Sequence, residues 1–163
     1  RNPAKLLEEF IFSLNFYIPF FLSFFMNFTL SEQNIKEADD TLVIFAHEGV
    51  AVNHADIQQD ALADFKGKDS QITLVYPGNN KQKRIFLVGL GKKEESHLNK
   101  IRNGAAAAVN YARQLETEKL HFPASVEGIS EEEAVAAIAE AAFLANHKFD
   151  SFKSEKIIPK LSV

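Results

Sequence analysis

The chain has no cysteine in 163 residues. That absence removes a disulfide framework, a thiolate metal site and a cysteine nucleophile together, and it agrees with a reducing compartment. Glycine is scarce, with seven residues in all. No Gly-x-Ser-x-Gly elbow is present, so serine-hydrolase chemistry has no support. The five histidines, His47, His54, His97, His121 and His147, stand at no metal-ligand spacing from one another, and His-Glu-x-x-His is missing. The 18 lysines and arginines form no stripe, the net charge is −4 and the pI is about 5.7. Nucleic acid is therefore not expected as a partner. There is no internal repeat, and no low-complexity tract after Met26.

What remains is ordinary for a globular protein: 46% hydrophobic and 25% charged residues, in a length that supports one domain with a real core. The first thirty residues depart from this. Eight of the 15 phenylalanines lie between Phe10 and Phe28, a stretch without a single charge. The first residue is Arg1, and the only methionine is Met26. Three readings compete for residues 1–25. One is a read-through of upstream AT-rich sequence, non-native to the protein. The second is a membrane or signal segment, although Glu8 and Glu9 occupy the flank that should be positive and no small-residue cleavage site follows. The third is a packed helix, which phenylalanine on every face argues against. The expected start of the native chain is Met26.

Further along, strand and helix periods alternate. Thr41–Phe45 (TLVIF), led in by Glu37, Asp39 and Asp40, reads as a buried strand, with Val50–Val52 as an extension or bulge. Asn53 is placed to cap a short helix through Asp64, with Ile57, Ala61 and Leu62 inward. Gln71–Tyr76 and Arg84–Val88 read as two strands joined by the turn Pro77-Gly78-Asn79-Asn80, a hairpin. Leu98, Ile101, Ala105, Ala108, Ala112 and Leu115 alternate at three and four, which puts them on one face of a long helix. That face is mostly alanine, so the helix can lie close to a sheet. Lys119–Val126 is expected as a strand, with Pro123 marking an edge. Ser130-Glu131-Glu132-Glu133 is a capping box that opens a second helix, with Val135, Ile138, Ala142 and Ala145 inward. Lys148–Lys156 reads as a polar exit. The pattern predicts an α/β three-layer sandwich whose mixed β-sheet is flanked by helices.

Few residues invite chemistry. Val88-Gly89-Leu90-Gly91-Lys92 has the look of a phosphate loop, but it lacks a third glycine at dinucleotide-binding spacing and lacks Gly-Lys-Ser/Thr. Lys93 is followed by Glu94 and Glu95, which would repel phosphate. A tight turn leaving a strand accounts for the glycines. His47-Glu48 is an isolated pair, better read as a loop than as a site.

Arg84–Glu95 (RIFLVGLGKKEE), the alanine-rich helix after it, and Glu140 … Phe149-Asp150-Ser151-Phe152-Lys153-Ser154 together resemble the N-terminal domain of the M17 leucyl aminopeptidases. The family pattern there is V-G-L-G-K, then E-G-x-x-L-x-x-Y-x-F-D-x-Y-K-S. Leu144, Phe149, Asp150, Lys153 and Ser154 match it. Ala141 stands for the glycine, His147 for the first tyrosine and Phe152 for the second. The likeness runs from about Asp40 to Lys160. It implies a macro-like domain over 26–156, with 157–163 beginning a linker to a catalytic domain that this chain lacks. In the family that second domain binds two divalent metal ions, zinc or manganese, within N-T-D-A-E-G-R-L, a motif absent here. No catalytic, cofactor-binding or metal-ligating residue is therefore assigned to this chain. The resemblance implies a cytoplasmic, homo-hexameric parent metalloaminopeptidase in which this half is a truncated accessory piece. The other reading is a stand-alone macro-like binder of a nucleotide or ADP-ribose, for which seven glycines are few. A membrane partner is expected only if the leader is native. Phe149, Phe152, Ile157, Ile158 and Leu161 are the expected contacts to the partner domain.

Overall fold

The computed structural model describes residues 28–29, 41–78, 83–95 and 97–146. The leader, the acidic lead-in, the tip of the 77–80 turn and everything from His147 onward lie outside the described residues, and with them Phe149, Phe152, Ile157, Ile158 and Leu161.

Four strands form one mixed sheet: β1 (Thr41–Ala46), β2 (Ile72–Val75), β3 (Arg84–Gly89) and β4 (Leu120–His121), in the order β2-β3-β1-β4. β1 and β3 are parallel and in step, from Thr41 opposite Arg84 to Ala46 opposite Gly89. β2 runs antiparallel to β3, the expected hairpin, and β4 lies parallel to β1. Every residue of β3 from Ile85 to Gly89 is buried, which explains why the strand reads as an unbroken apolar run rather than an alternating one.

The two faces of the sheet are covered differently. Val43, Phe86 and Val88 point to the side occupied by the helices α1 (Leu98–Gln114) and α2 (Glu131–Asn146). Ile85, Leu87 and Val75 point to the other side, where Ile57 is buried with them and Val52, Leu62 and Phe65 pack against them. The alternation of side chains along a strand sorts the core into these two halves. Phe28 also packs on the helix side, beside Ile72 and Leu74.

The alanine stripe of α1 serves two neighbours. Ala108 and Ala112 pack with Val43, Phe86 and Val88, as expected of a helix on a sheet. Ala105 and Ile101 pack instead with Ala134, Ala137, Ile138 and Ala141 of α2. Gly104 of α1 also packs tightly on the sheet side, a position the helical pattern does not single out. A Cβ there would lie 3.1 Å from Val88 Cγ1 and 3.2 Å from both Leu90 Cδ2 and Phe45 Cε1.

Several expectations are corrected. Val50–Val52 neither extends β1 nor bulges it; it is loop. The helix expected over 53–64 shrinks to a 3-10 turn, Gln59–Leu62, and Asn53 does not cap it. The cause is local. Ile57 N–H donates to His54 O at 3.1 Å and Asp56 N–H donates to His54 Nδ1 at 3.3 Å, a turn that competes with helix. The strand expected over 119–126 stops at His121, because Phe122 is followed by Pro123, which has no N–H to give a ladder. Its place at the sheet edge agrees with the proline. The buried face of α2 is Ala134, Ala137, Ile138, Ala139, Ala141 and Ala142, with Val135 only half-buried. The serine half of the capping box holds, with Glu133 N–H donating to Ser130 Oγ at 3.3 Å; the Glu133 carboxylate accepts from the Ser130 hydroxyl at 2.8 Å rather than from its backbone N–H.

α1 ends in a Schellman turn. Thr117 N–H donates to Ala112 O at 2.9 Å and Glu116 N–H to Arg113 O at 3.2 Å. Arg84 Nη1 ties this turn to the sheet through Thr117 Oγ1 at 2.9 Å. The motif places Glu116 at φ +51°, a left-handed conformation that glycine adopts without a Cβ penalty. Glu116→Gly is therefore expected to stabilise the domain by about 0.5–1 kcal/mol, after the extra freedom glycine gains when unfolded. The measurement is the urea unfolding midpoint; a lower midpoint would show that the Glu116 side chain matters more than its backbone.

Candidate functional site

In an open α/β sheet, ligands sit outside the carboxyl ends of the parallel strands. Here those ends are Ala46 of β1 and Gly89 of β3, with the 67–71 loop and the start of α1 beside them. This is also where the glycine-bearing turn falls.

Three successive N–H groups of that turn are engaged within the domain. Gly89 N–H donates to Gln71 O at 2.8 Å, Leu90 N–H to Ala46 O at 2.9 Å and Gly91 N–H to Gly67 O at 2.9 Å. Ser70 N–H returns a bond to Gly89 O at 2.9 Å, and Glu48 N–H donates to Gly91 O at 2.9 Å. A phosphate loop works by aiming such N–H groups at an anion. These three are aimed at neighbouring carbonyls, so the turn fastens strand ends together. The reading of the glycines as a tight turn agrees with this geometry.

The glycines serve close contact between backbones. A Cβ on Gly89 would lie 2.0 Å from Lys68 O and 2.6 Å from Gly67 C. A Cβ on Gly67, at φ +71°, would lie 2.6 Å from His47 O. Nothing flexible stands in either position to give way.

His47 is part of the same fastening. Its ring is buried, with Nδ1 3.3 Å from Gly91 O. A carbonyl only accepts, so Nδ1 carries the proton in this contact. The pair His47-Glu48 is a loop element, as its isolation in the sequence suggested, and the inward histidine is structural.

Two ion pairs stand at this end. Lys93 Nζ lies 2.7 Å from Glu127 Oε1, and Lys100 Nζ lies 2.5 Å from Asp69 Oδ2. The second pair clamps the first turn of α1 to the 67–71 loop. The Lys100 ammonium, donating to the carboxylate, holds Asp69 below the ordinary aspartate value, with Ser70 Oγ adding a further bond. Lys93 lowers exposed Glu127 in the same way.

Among the described residues no group of three or more histidines, aspartates and glutamates is placed to hold an ion. His54 and Asp56 come within 4.0 Å, but His54 Nδ1 is already taken by the Asp56 N–H. Two divalent ions, as the resemblance implies for the parent enzyme, do not fit these residues. Nor is any helix among the described residues long and apolar enough to cross a membrane.

The fold, mixed sheet and helix pair together, is that of a macro-like α/β domain. A solved macrodomain of Mycobacterium tuberculosis DarG superposes with a TM-score of 0.59 at 16% identity, covering 85% of this chain and 96% of that one. A mutant tomato leucine aminopeptidase superposes with a TM-score of 0.61 at 24% identity, covering 76% of this chain and 28% of that one. Sequence then decides between these neighbours. Residues 57–156 match the family model described as "Cytosol aminopeptidase family, N-terminal domain", and the chain belongs to that family. A probable cytosol aminopeptidase of Roseiflexus castenholzii is 36% identical over 94 residues, covering 56% of this chain and 19% of that protein. The chain thus spans about a fifth of the length of this curated relative.

Two outcomes are expected from this geometry. Gly89→Ala drives a methyl into the Lys68 carbonyl and should destabilise the domain by about 3 kcal/mol or more, at or beyond the upper end of ordinary overpacking. Gly49→Ala, at φ +74° with open space around it, should cost only about 1–2 kcal/mol. Equal denaturant midpoints for the two variants would refute the backbone contact. The second outcome concerns acid. Asp69 titrates lower folded than unfolded, so its contribution is present above the unfolded value of about 3.9 and fades as pH falls through the folded value. Lys100→Met should raise the Asp69 pKa, read by NMR titration of its carboxyl, and flatten the acid limb of stability against pH. Because the pair is partly exposed, the stability lost at neutral pH should stay within about 1 kcal/mol.

Proposed function

We propose that this chain is the non-catalytic N-terminal accessory domain of a leucyl metalloaminopeptidase, built to pack beside a catalytic domain. The observation that carries the reading is the family match over 57–156, joined to an alignment that covers only 19% of the matched relative. In this layout the domain spans 26–156 and residues 157–163 start the linker. The two-metal peptidase chemistry belongs to the other domain, and the working assembly is a cytoplasmic homo-hexamer. The Phe-rich leader, residues 1–25, has no part in the packed domain on this reading.

A second reading, a stand-alone macro-like binder of a nucleotide or ADP-ribose, is favoured by the near-complete coverage of the DarG macrodomain. The engaged N–H groups of Gly89, Leu90 and Gly91 weigh against it. One set of measurements on the full chain separates the readings. With a leucyl chromogenic substrate and added zinc or manganese, turnover should not exceed the metal-only blank, and calorimetric titration with either metal should give no heat of binding. Turnover that a chelator abolishes would overturn the accessory reading. Saturable heat on titration with ADP-ribose would favour the binder.

A further inference from the structure

Asn103-Gly104 is the single Asn-Gly pair in the chain, and it lies inside α1. An asparagine amide is most open to attack by the next backbone nitrogen when glycine follows, because glycine sets no side chain in the path. The attack forms a bond from Gly104 N to Asn103 Cγ and breaks the bond from Cγ to Nδ2. Nδ2 leaves as ammonia with the proton that Gly104 N gives up, and a five-membered succinimide remains. Water then opens the ring at one of its two carbonyls. Opening at Cγ leaves aspartate. Opening at the former main-chain carbonyl leaves isoaspartate, whose main chain runs through Cβ and Cγ and is one methylene longer.

The fold controls when this happens. Asn103 is exposed, so water reaches its amide and burial does not protect it. The backbone protects it instead. Ring closure turns Asn103 far from the helical ψ of about −42°. It also takes Gly104 N out of the bond that a helix gives it with the carbonyl four residues back. Gly104 is buried, and a Cβ there would lie 3.1 Å from Val88 Cγ1, so the main chain has no room to turn in place. α1 must open before the ring can close, and the rate then follows the population of the opened helix.

The same packing controls what the product can do. Ile101 precedes the pair, Ala105, Ala108, Val109 and Ala112 follow it, and all five are 0% exposed. An extra methylene between residues 103 and 104 puts Ile101 out of helical register with the other four. Aspartate, by contrast, adds a charge on the exposed side and leaves the main chain as it was. We propose that Asn103-Gly104 is a deamidation site gated by the opening of α1, and that its isoaspartyl product is shut out of the native fold. Each opening of α1 then exposes the chain to a change that bars its return. This goes beyond the accessory-domain reading and does not depend on it.

The test incubates the full 163-residue chain at one mildly alkaline pH, in buffer and in urea above the unfolding midpoint. Digestion after lysine gives the peptide 101–119, in which Asn110, followed by Tyr111, is an internal control. Mass spectrometry reads conversion at each asparagine, and enzymatic carboxyl methylation scores isoaspartate. Asn103 should convert roughly tenfold faster or more in urea than in buffer, with Asn110 lagging it in urea. Asn103→Gln, whose ring would need one more carbon, should stay intact in both. Freshly unfolded wild type and Asn103→Asp should regain native circular dichroism on dilution from urea, and the chromatographically separated isoaspartyl chain should not. Equal rates at Asn103 in buffer and urea would overturn the gating. An isoaspartyl chain that refolds to the wild-type midpoint would overturn the exclusion. Failure of Asn103→Asp to refold would assign the effect to charge, and failure of fresh wild type to refold would bar return without any modification; either overturns the proposal.

Discussion

The fold depends on three backbones meeting without side chains between them. β1 and β3 end level, Ala46 beside Gly89, and the 67–71 loop lies against both ends. Gly67 and Gly89 permit this approach, and the N–H groups of Gly89, Leu90 and Gly91 close it. Buried backbone groups need partners, and here each strand end finds one in a segment distant in sequence. His47 adds a side-chain donor to the same carbonyl that Glu48 N–H reaches. The register of the sheet, the seat of the 67–71 loop and the launch of α1 all follow from this junction. A side chain at either glycine would separate segments that have no other way to satisfy their hydrogen bonds.

The two helices solve a different problem with the same economy of side chain. α1 must touch both the sheet and α2, and alanine lets it do so at short range. Ala108 and Ala112 meet Val43, Phe86 and Val88, while Ala105 meets Ala134, Ala137 and Ala141. Small residues on both helices favour close packing, and alanine loses least entropy in a helix. The bulk of the core comes from the sheet instead, where Ile85, Phe86 and Leu87 are fully buried. Polar ties add to this packing: Arg84 to Thr117 and Arg113 to Ala145 O at 3.0 Å at the helix ends, and Arg102 to Glu140 along their length.

What the sequence disclosed follows from how local each signal is. β1, β3 and α1 were legible because a buried strand and an amphipathic helix each repeat their signature over several residues. The capping box at Ser130 was legible because its two partners are three residues apart. Gly104 was not, because a glycine inside a helix announces neither its partner nor its depth; only the positions of Val88, Leu90 and Phe45 give it meaning. The face of α2 was only partly legible, with Ile138 and Ala142 buried as expected but Val135 and Ala145 half-buried, because a helix that is apolar nearly all round has no period to read. The helix expected at 53–64 failed because His54 and Asp56 offered the backbone a nearer partner. At the candidate site, the glycine turn was legible as a turn, but the bonds that occupy its N–H groups join residues about twenty to forty-five positions apart and leave no trace in local pattern.

The engaged turn also bears on how one scaffold comes to differ in use. A macro-like sheet places the ends of its parallel strands together, and that end becomes a binding site only if its backbone donors stay available. In this chain the N–H donors of Gly89, Leu90 and Gly91 face Gln71, Ala46 and Gly67, and two ion pairs, Lys93–Glu127 and Lys100–Asp69, stand nearby. The fold is shared with domains of other kinds, and fold alone does not carry function. What distinguishes this version is where its unused chemistry lies. The strand ends are fastened by bonds within the domain, while Leu144 on α2 stands 63% exposed.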